Sequence, residues 1–340
     1  MGLPSPTFSF TIPSVYDGTQ LDCRLFHPKR QHHTGSWTKR GAIVAHPYAP
    51  LGGCYDDPVV NSVAGQLLQL GYIVSTFNFR GAGDSEGRTS WTAKPEAGDY
   101  VSVYGFMLDY LRRLDTHTSS SNRPDDQNGQ TSTASGAVND ESKEPSSAIE
   151  LILGGYSYGS MIASHLPKVE DVLNLFSNPA DSSPASVISS KAEELSKAWN
   201  QANPNKTPGD TSGTHGMTVP KISYLLVSPI LPPISLFVTM FSRMSFISGM
   251  SSPGLSLQGV QVATPSPDEQ LRTNPTLVIY GTKDIFTPQK KIRRWVESLR
   301  NMPGSKIESR EIDGAGHFWV ERDTEPQMRQ ALREWLRQKR

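Results

Sequence analysis

The stretch Gly155-Tyr156-Ser157-Tyr158-Gly159 follows an apolar run, Ile149 to Leu153, and precedes a small-residue segment, Ser160-Met161-Ile162-Ala163-Ser164. This order of residue types predicts a buried strand, a sharp turn centred on a serine, and then a helix. That is the setting a nucleophile elbow requires. Where a chain reverses within one residue, any flanking side chain larger than hydrogen collides with the neighbouring strand or helix, so glycine on both sides leaves only the serine projecting. Glycine and serine also crowd ordinary loops. The G-x-S-x-G pattern alone therefore does not separate a nucleophile from a plain turn, and the rest of the chain has to decide.

The 340 residues, 36% hydrophobic and 19% charged, can bury a large core and suit one α/β domain spanning 1–340 with insertions. The formal net charge is zero and the basic residues are scattered, which removes the electrostatic footprint of a nucleic-acid binder. Two cysteines, Cys23 and Cys54, are too few for a disulfide framework or a zinc site, so free thiols in a reducing, cytoplasmic setting are expected. Residues Met1 to Pro6 lack the basic start and apolar run of a secretory signal, and Pro6 stands where a myristoylation consensus wants Ser or Thr. The longest charge-free stretch, Ile222 to Ser242, is interrupted by Pro229, Pro232 and Pro233. It reads as a buried strand followed by a lid-like segment, with no stable membrane insertion.

Thr7 to Ile12 and Leu21 to Phe26 alternate apolar and polar residues around Asp17-Gly18, which predicts an antiparallel hairpin at a sheet edge. Ala42-Ile43-Val44-Ala45 is continuously apolar and suits a strand buried on two faces, and Tyr72 to Phe79 reads as a second buried strand. Between them Asp57 caps a helix over Val59 to Leu70, with Pro58 in its first turn and Gly71 at its close. A second helix runs from Pro95 or Glu96 to Leu114. Residues 115–147 are rich in Ser, Thr, Asn, Asp and Gly, contain no aromatic side chain, and read as a disordered insertion. The segment 174–217 reads as a second polar insertion, within which Ala185 to Ala202 has the pattern of an amphipathic helix. Further strands are expected at Ile222 to Val227, Thr276 to Tyr280 and Lys306 to Ile312, with helices at Gln289 to Arg300 and Glu325 to Gln338. The Phe- and Met-containing stretch 230–262 is either ordinary core or a lid or cap over a pocket. Strands alternating with helices give an α/β class with a mostly parallel central sheet of about eight strands and helices on both faces.

In such a sheet, ligands gather where strands end at their carboxyl edge. Ser157 follows one strand, Asp284 lies in Gly281-Thr282-Lys283-Asp284 after a later one, and His317 closes Gly314-Ala315-Gly316-His317 after the last. The chain order Ser, Asp, His at successive strand ends resembles the α/β-hydrolase fold. More narrowly, His46-Pro47-Tyr48-Ala49-Pro50-Leu51-Gly52-Gly53 and Phe77-Asn78-Phe79-Arg80-Gly81-Ala82-Gly83-Asp84-Ser85-Glu86-Gly87 resemble small serine-hydrolase-like proteins often grouped with the dienelactone hydrolases. The likeness covers about Gly41 to Leu114, Ile149 to Leu166, Ile222 to Pro229 and Thr276 to Val320, and not the two polar insertions.

What the resemblance implies is serine-hydrolase chemistry on a small-molecule acyl substrate, without a cofactor. His317 would take the proton of Ser157 and return it to the leaving group, while Asp284 fixes the imidazole tautomer. Two N–H donors would hold the developing oxyanion. One comes from Tyr158, and Tyr48 is the choice for the other because Pro47 and Pro50 have no N–H, with Ala49 and Leu51 as alternatives. A carboxylic ester is the expected substrate, with a peptidase or amidase, a lyase or cyclisation catalyst, and a silent scaffold as competing readings. His46 reads as an anchor of its loop, Arg80 as a tie between loops, Cys54 as a loop thiol, and Asp313 as too close to Gly314 to orient His317. The remaining histidines, His27, His32, His33, His117, His165 and His215, show no metal-ligand spacing. Oligomeric state is not written in the chain.

Overall fold

The alternating segments near the start form β1 (Phe8–Pro13) and β2 (Gln20–Phe26), paired antiparallel with Phe8 opposite Leu25 and Pro13 opposite Gln20. Their turn closes through Ser14 N–H to Thr19 O, with Gly18 in the left-handed region at φ 84°. In the computed structural model, residues 2–29, 39–114, 148–204, 219–231 and 254–339 are described. The continuous apolar runs become β3 (Lys39–Ala45), β4 (Ile73–Phe77), β5 (Ile149–Tyr156) and β6 (Lys221–Val227). Later come the short pair β7 (Leu255–Leu257) and β8 (Val260–Val262), then β9 (Thr276–Gly281) and β10 (Ile307–Ile312).

Eight strands make one sheet in the order β1-β2-β4-β3-β5-β6-β9-β10. From β4 to β10 all neighbours are parallel, and only the β1–β2 and β2–β4 pairs are antiparallel. Parallel strands need covered faces, which is why these runs are apolar on both sides. On one face lie α2 (Lys94–Arg113), α3 (Tyr158–Ser164), α4 (Val169–Ser177), α5 (Pro184–Ala202), α6 (Pro267–Thr273) and α7 (Gln289–Arg300). On the other lie α1 (Pro58–Gln69) and α8 (Thr324–Gln338), whose Met328, Ala331, Leu332 and Trp335 are buried at helical spacing. Asp57 caps α1 by accepting the N–H groups of Val59 and Val60.

Within 174–217 the described residues, 174–204, are more helical than their polar composition suggests. Ala185, Ile188, Ala192 and Leu195 bury a stripe of α5 against α2, and Ser189 Oγ donates to Asp109 across that contact at 2.6 Å. Just before it, α4 presses Phe176 onto α2 at Gly105, where a Cβ would overlap the ring. Of 230–262, residues 232–253 lie outside the described residues. Residues 255–262 form the β7–β8 hairpin, tied to the β1–β2 turn by Gln258 N–H to Val15 O at 3.1 Å. The expected insertion 115–147 also lies outside the described residues. Three undescribed stretches leave the chain at the amino edge of the parallel strands: 30–38 ahead of β3, 115–147 ahead of β5 and 205–218 ahead of β6. Among the described residues, no helix is long and apolar enough to cross a membrane.

Candidate active site

Successive strands β3 and β4 lie on one side and β5 and β6 on the other, so the strand order reverses between β3 and β5. The loops leaving those two strands diverge and open a crevice at the carboxyl edge. One carries Tyr48 and the other carries Ser157.

The elbow is built by close approach of backbone. A Cβ on Gly155 would overlap the carbonyl of Gly159, and one on Gly159 would sit 2.5 Å from Ala45 O and 2.6 Å from His46 O. The second glycine therefore lets the start of α3 rest on the end of β3, which brings the two crevice loops together. Ser157 adopts φ 56° and ψ −114°, a conformation that costs a serine about 1–3 kcal/mol. It is held there by its N–H to Val227 O at 2.9 Å and by its carbonyl accepting from Ser160 and Met161. A serine at a helix N-cap ordinarily turns its hydroxyl back to the first-turn N–H groups. Ser157 makes no such bond. Its Oγ lies 2.8 Å from His317 Nε2.

Asp284 and His317 arrive from the loops after β9 and β10, which are pressed together because Gly281 leaves no room for a Cβ against Ala315 O. Lys283 N–H to Ala315 O at 2.9 Å and Gly314 N–H to Thr282 Oγ1 at 2.8 Å stitch them. Asp284 Oδ1 accepts the N–H groups of Phe286 and Thr287, leaving Oδ2 to accept from His317 Nδ1 at 2.8 Å. With a carboxyl oxygen accepting at Nδ1, Nε2 is the lone-pair nitrogen and the Ser157 hydroxyl donates to it. Ser157, Asp284 and His317 are all buried, so the chain of bonds is largely shielded from bulk water. Asp313, the rival carboxylate, accepts instead from Thr282 Oγ1.

The Tyr48 loop is a tight 3-10 turn whose carbonyl at Tyr48 accepts from Leu51 and Gly53. The Tyr48 ring packs 5.2 Å from that of Tyr158, so the two residues expected to hold an oxyanion are brought to the same crevice. Tyr158 opens α3, where helix geometry leaves the first N–H groups without intrahelical acceptors. His46 is fully buried. It donates from Nδ1 to Pro47 O at 2.6 Å and accepts Phe79 N–H at Nε2 at 2.9 Å. Burial lowers its pKa to about 4 against the opposing pull of the Pro47 carbonyl, so it stays neutral and ties the crevice loop to the end of β4. Arg80 turns inward to Asp99 and Asp17, as a tie between loops does.

Sequence reasoning passed over the frame behind His317. Tyr156 donates its hydroxyl to His317 O at 2.8 Å, Glu321 Oε2 accepts Gly316 N–H at 3.0 Å, and Trp319 Nε1 donates to Ser228 Oγ at 3.1 Å. Trp319 (φ 56°) and Ser228 (φ 46°) both occupy the left-handed region, and their mutual bond fixes that geometry. Phe286 and Phe318 set their rings 4.4 and 5.5 Å from the imidazole. Among the described residues no group of three or more His, Cys, Asp or Glu side chains is placed to hold a metal ion.

The sequence matches the family model described as alpha/beta hydrolase fold over residues 51–323. The chain belongs to that family. Its fold is similar to a lid-free α/β serine hydrolase from Xanthomonas campestris (TM-score 0.51, 16% identity, 99% of this chain and 97% of that one). It is similar as well to an esterase from Pyrococcus furiosus (TM-score 0.51, 13% identity, covering 99% and 95%). Est1E from Butyrivibrio proteoclasticus, in a structure with bound ferulic acid, aligns with a TM-score of 0.50 at 14% identity over 97% and 98%. No curated protein matches the chain in sequence.

Proposed function

We propose that the protein is a serine hydrolase that cleaves carboxylic esters, or a closely related acyl bond, through an acyl-enzyme on Ser157. The observation that carries this reading is the continuous hydrogen-bonded path from Ser157 Oγ through His317 to Asp284, 2.8 Å at each link, on a serine held at positive φ. As Oγ bonds to the acyl carbon, its proton passes to His317 Nε2, and the Asp284 carboxyl group stabilises the imidazolium. Tyr158 N–H and Tyr48 N–H receive the oxyanion. Collapse expels the alcohol, which takes the proton from Nε2. Water then repeats the sequence on the acyl-enzyme and frees the acid.

The rim of the crevice supports an apolar acyl or alcohol group. Leu51 on the Tyr48 loop is 74% exposed, Ile285 beside Asp284 76%, and Phe318 beside His317 57%. Exposed apolar side chains gathered on the loops of one site mark a surface that meets apolar material. Free thiols at Cys23 and Cys54 support a reducing, cytoplasmic setting.

A fluorophosphonate probe is expected to label the protein at Ser157, and Ser157→Ala to abolish labelling. A folded wild-type protein that resists the probe overturns the reading. Turnover of p-nitrophenyl esters without cleavage of the matching anilides separates an esterase from an amidase.

A further inference from the structure

The loop that carries His317 runs from Asp313 to Asp323 without a regular hydrogen-bond ladder. Yet the base needs its Cα held to a fraction of an ångström, because Nε2 has to meet Ser157 Oγ when neutral and the leaving group when protonated. Asp284 fixes the plane and tautomer of the ring but does not fix the peptide from which the ring hangs. The stitches from Lys283 and Thr282 tie this loop to the Asp284 loop, and so place the base relative to the acid. They leave open what places the base relative to the nucleophile.

Tyr156 closes that gap. It immediately precedes Ser157 at the end of β5, where it pairs with Val227, while the residue before it, Gly155, pairs with Ala45. Its backbone thus lies on a strand paired on both sides within the sheet. Its side chain is buried, and the hydroxyl donates to the carbonyl of His317 at 2.8 Å, bridging 161 residues of chain. The nucleophile and its neighbour therefore hold the two ends of the same histidine: Ser157 meets the ring nitrogen, and Tyr156 meets the main chain. Burial raises the phenol's pKa well above its ordinary range, assisted by the charges of Asp57 and Asp284, so the hydroxyl stays protonated and able to donate.

We infer that Tyr156 is a positioning residue for the proposed hydrolase, a strut that sets the Ser157 to His317 separation through the His317 carbonyl. The inference rests on the serine-hydrolase reading and adds to it the residue that couples nucleophile to base. The ring of Tyr156 packs against the core around β5 and α8 and would remain in Tyr156→Phe, so that variant removes the strut and little else.

The test compares wild type, Tyr156→Phe and Tyr224→Phe, the last losing a buried phenol hydrogen bond to Gln270 Oε1 away from the site. Fluorophosphonate labelling rate, kcat and KM for p-nitrophenyl acetate, and the unfolding midpoint are measured on all three. Tyr156→Phe is expected to lower both the labelling rate and kcat by about tenfold with KM within about twofold. Tyr224→Phe is expected to match it in lost stability while keeping wild-type rates. Wild-type rates in Tyr156→Phe, or equal losses in both variants, overturn the strut. Failure of wild type to label overturns the underlying reading instead, so the two outcomes are distinct.

Discussion

His46 and His317 occupy the crevice from opposite sides, both buried, both with each ring nitrogen bonded. The loop after β3 gives His46 a carbonyl and the end of β4 gives it an N–H, two backbone partners neither of which can exchange a proton near neutral pH. The loops after β5 and β9 give His317 a hydroxyl and a carboxyl group, which can. Burial alone does not make a histidine chemical. What differs is whether its partners leave the ring a proton to move, and the sequence already hints at this, since Pro47 beside His46 can offer only a carbonyl.

The comparison breaks most sharply at Asp284. Replacing it by Asn puts an amide beside Nδ1, which can hold the opposite tautomer, and kcat is expected to fall on the order of 10⁴-fold with the fold intact. Measured against p-nitrophenyl acetate, a loss below tenfold would detach Asp284 from the base. The counterpart is His46→Ala, which leaves Phe79 N–H buried without its acceptor. It is expected to cost about 2 kcal/mol of stability by denaturant unfolding, while the folded fraction keeps a far larger share of its activity than Asp284→Asn does.

A further effect of the same histidine is confined to acid. His46 titrates at about 4 in the folded chain against 6.5 in the unfolded one, so the unfolded chain binds the proton first as pH falls. Its contribution is intact above about pH 6.5 and is lost on the way down through 4, amounting to about 3 kcal/mol in all. His27, lowered by burial to about 3, acts in the same direction and remains in the variant. The slope of stability against pH between 6.5 and 4 should therefore be shallower in His46→Ala by up to one proton. An unchanged slope would mean His46 is already charged in the fold.

Most of the sheet is legible in the chain because the central parallel strands, covered on both faces, are written as predominantly apolar runs, and because α1 announces itself through Asp57, Pro58 and Gly71. The three polar residues expected at strand ends are legible for a related reason: their positions follow from the order of strands, a one-dimensional property. Contacts set by distant partners are not. Helix α4 is obscured because Phe176 finds its place only against Gly105 on α2, and the three-residue strands β7 and β8 are too short to carry a period. Tyr156 stands inside the motif that organises the reading, yet its role depends on a main-chain carbonyl with no side-chain signature. The amphipathic pattern of α5 is legible, but its polar surroundings hide that Ala185, Ile188, Ala192 and Leu195 belong to the main core.

Strands β3, β5 and β6 all begin at the edge opposite Ser157. Strand β5, eight residues and about 26 Å long, separates its own start at Ile149 from the elbow. Among the described residues, the triad thus sits at one edge of the sheet and the starts of β3, β5 and β6 at the other. A lineage can lengthen or rewrite the segment between Leu114 and Ala148, and a protein engineer can open new termini or splice a reporter there, with the serine, its base and their shared tyrosine left in one uncut piece.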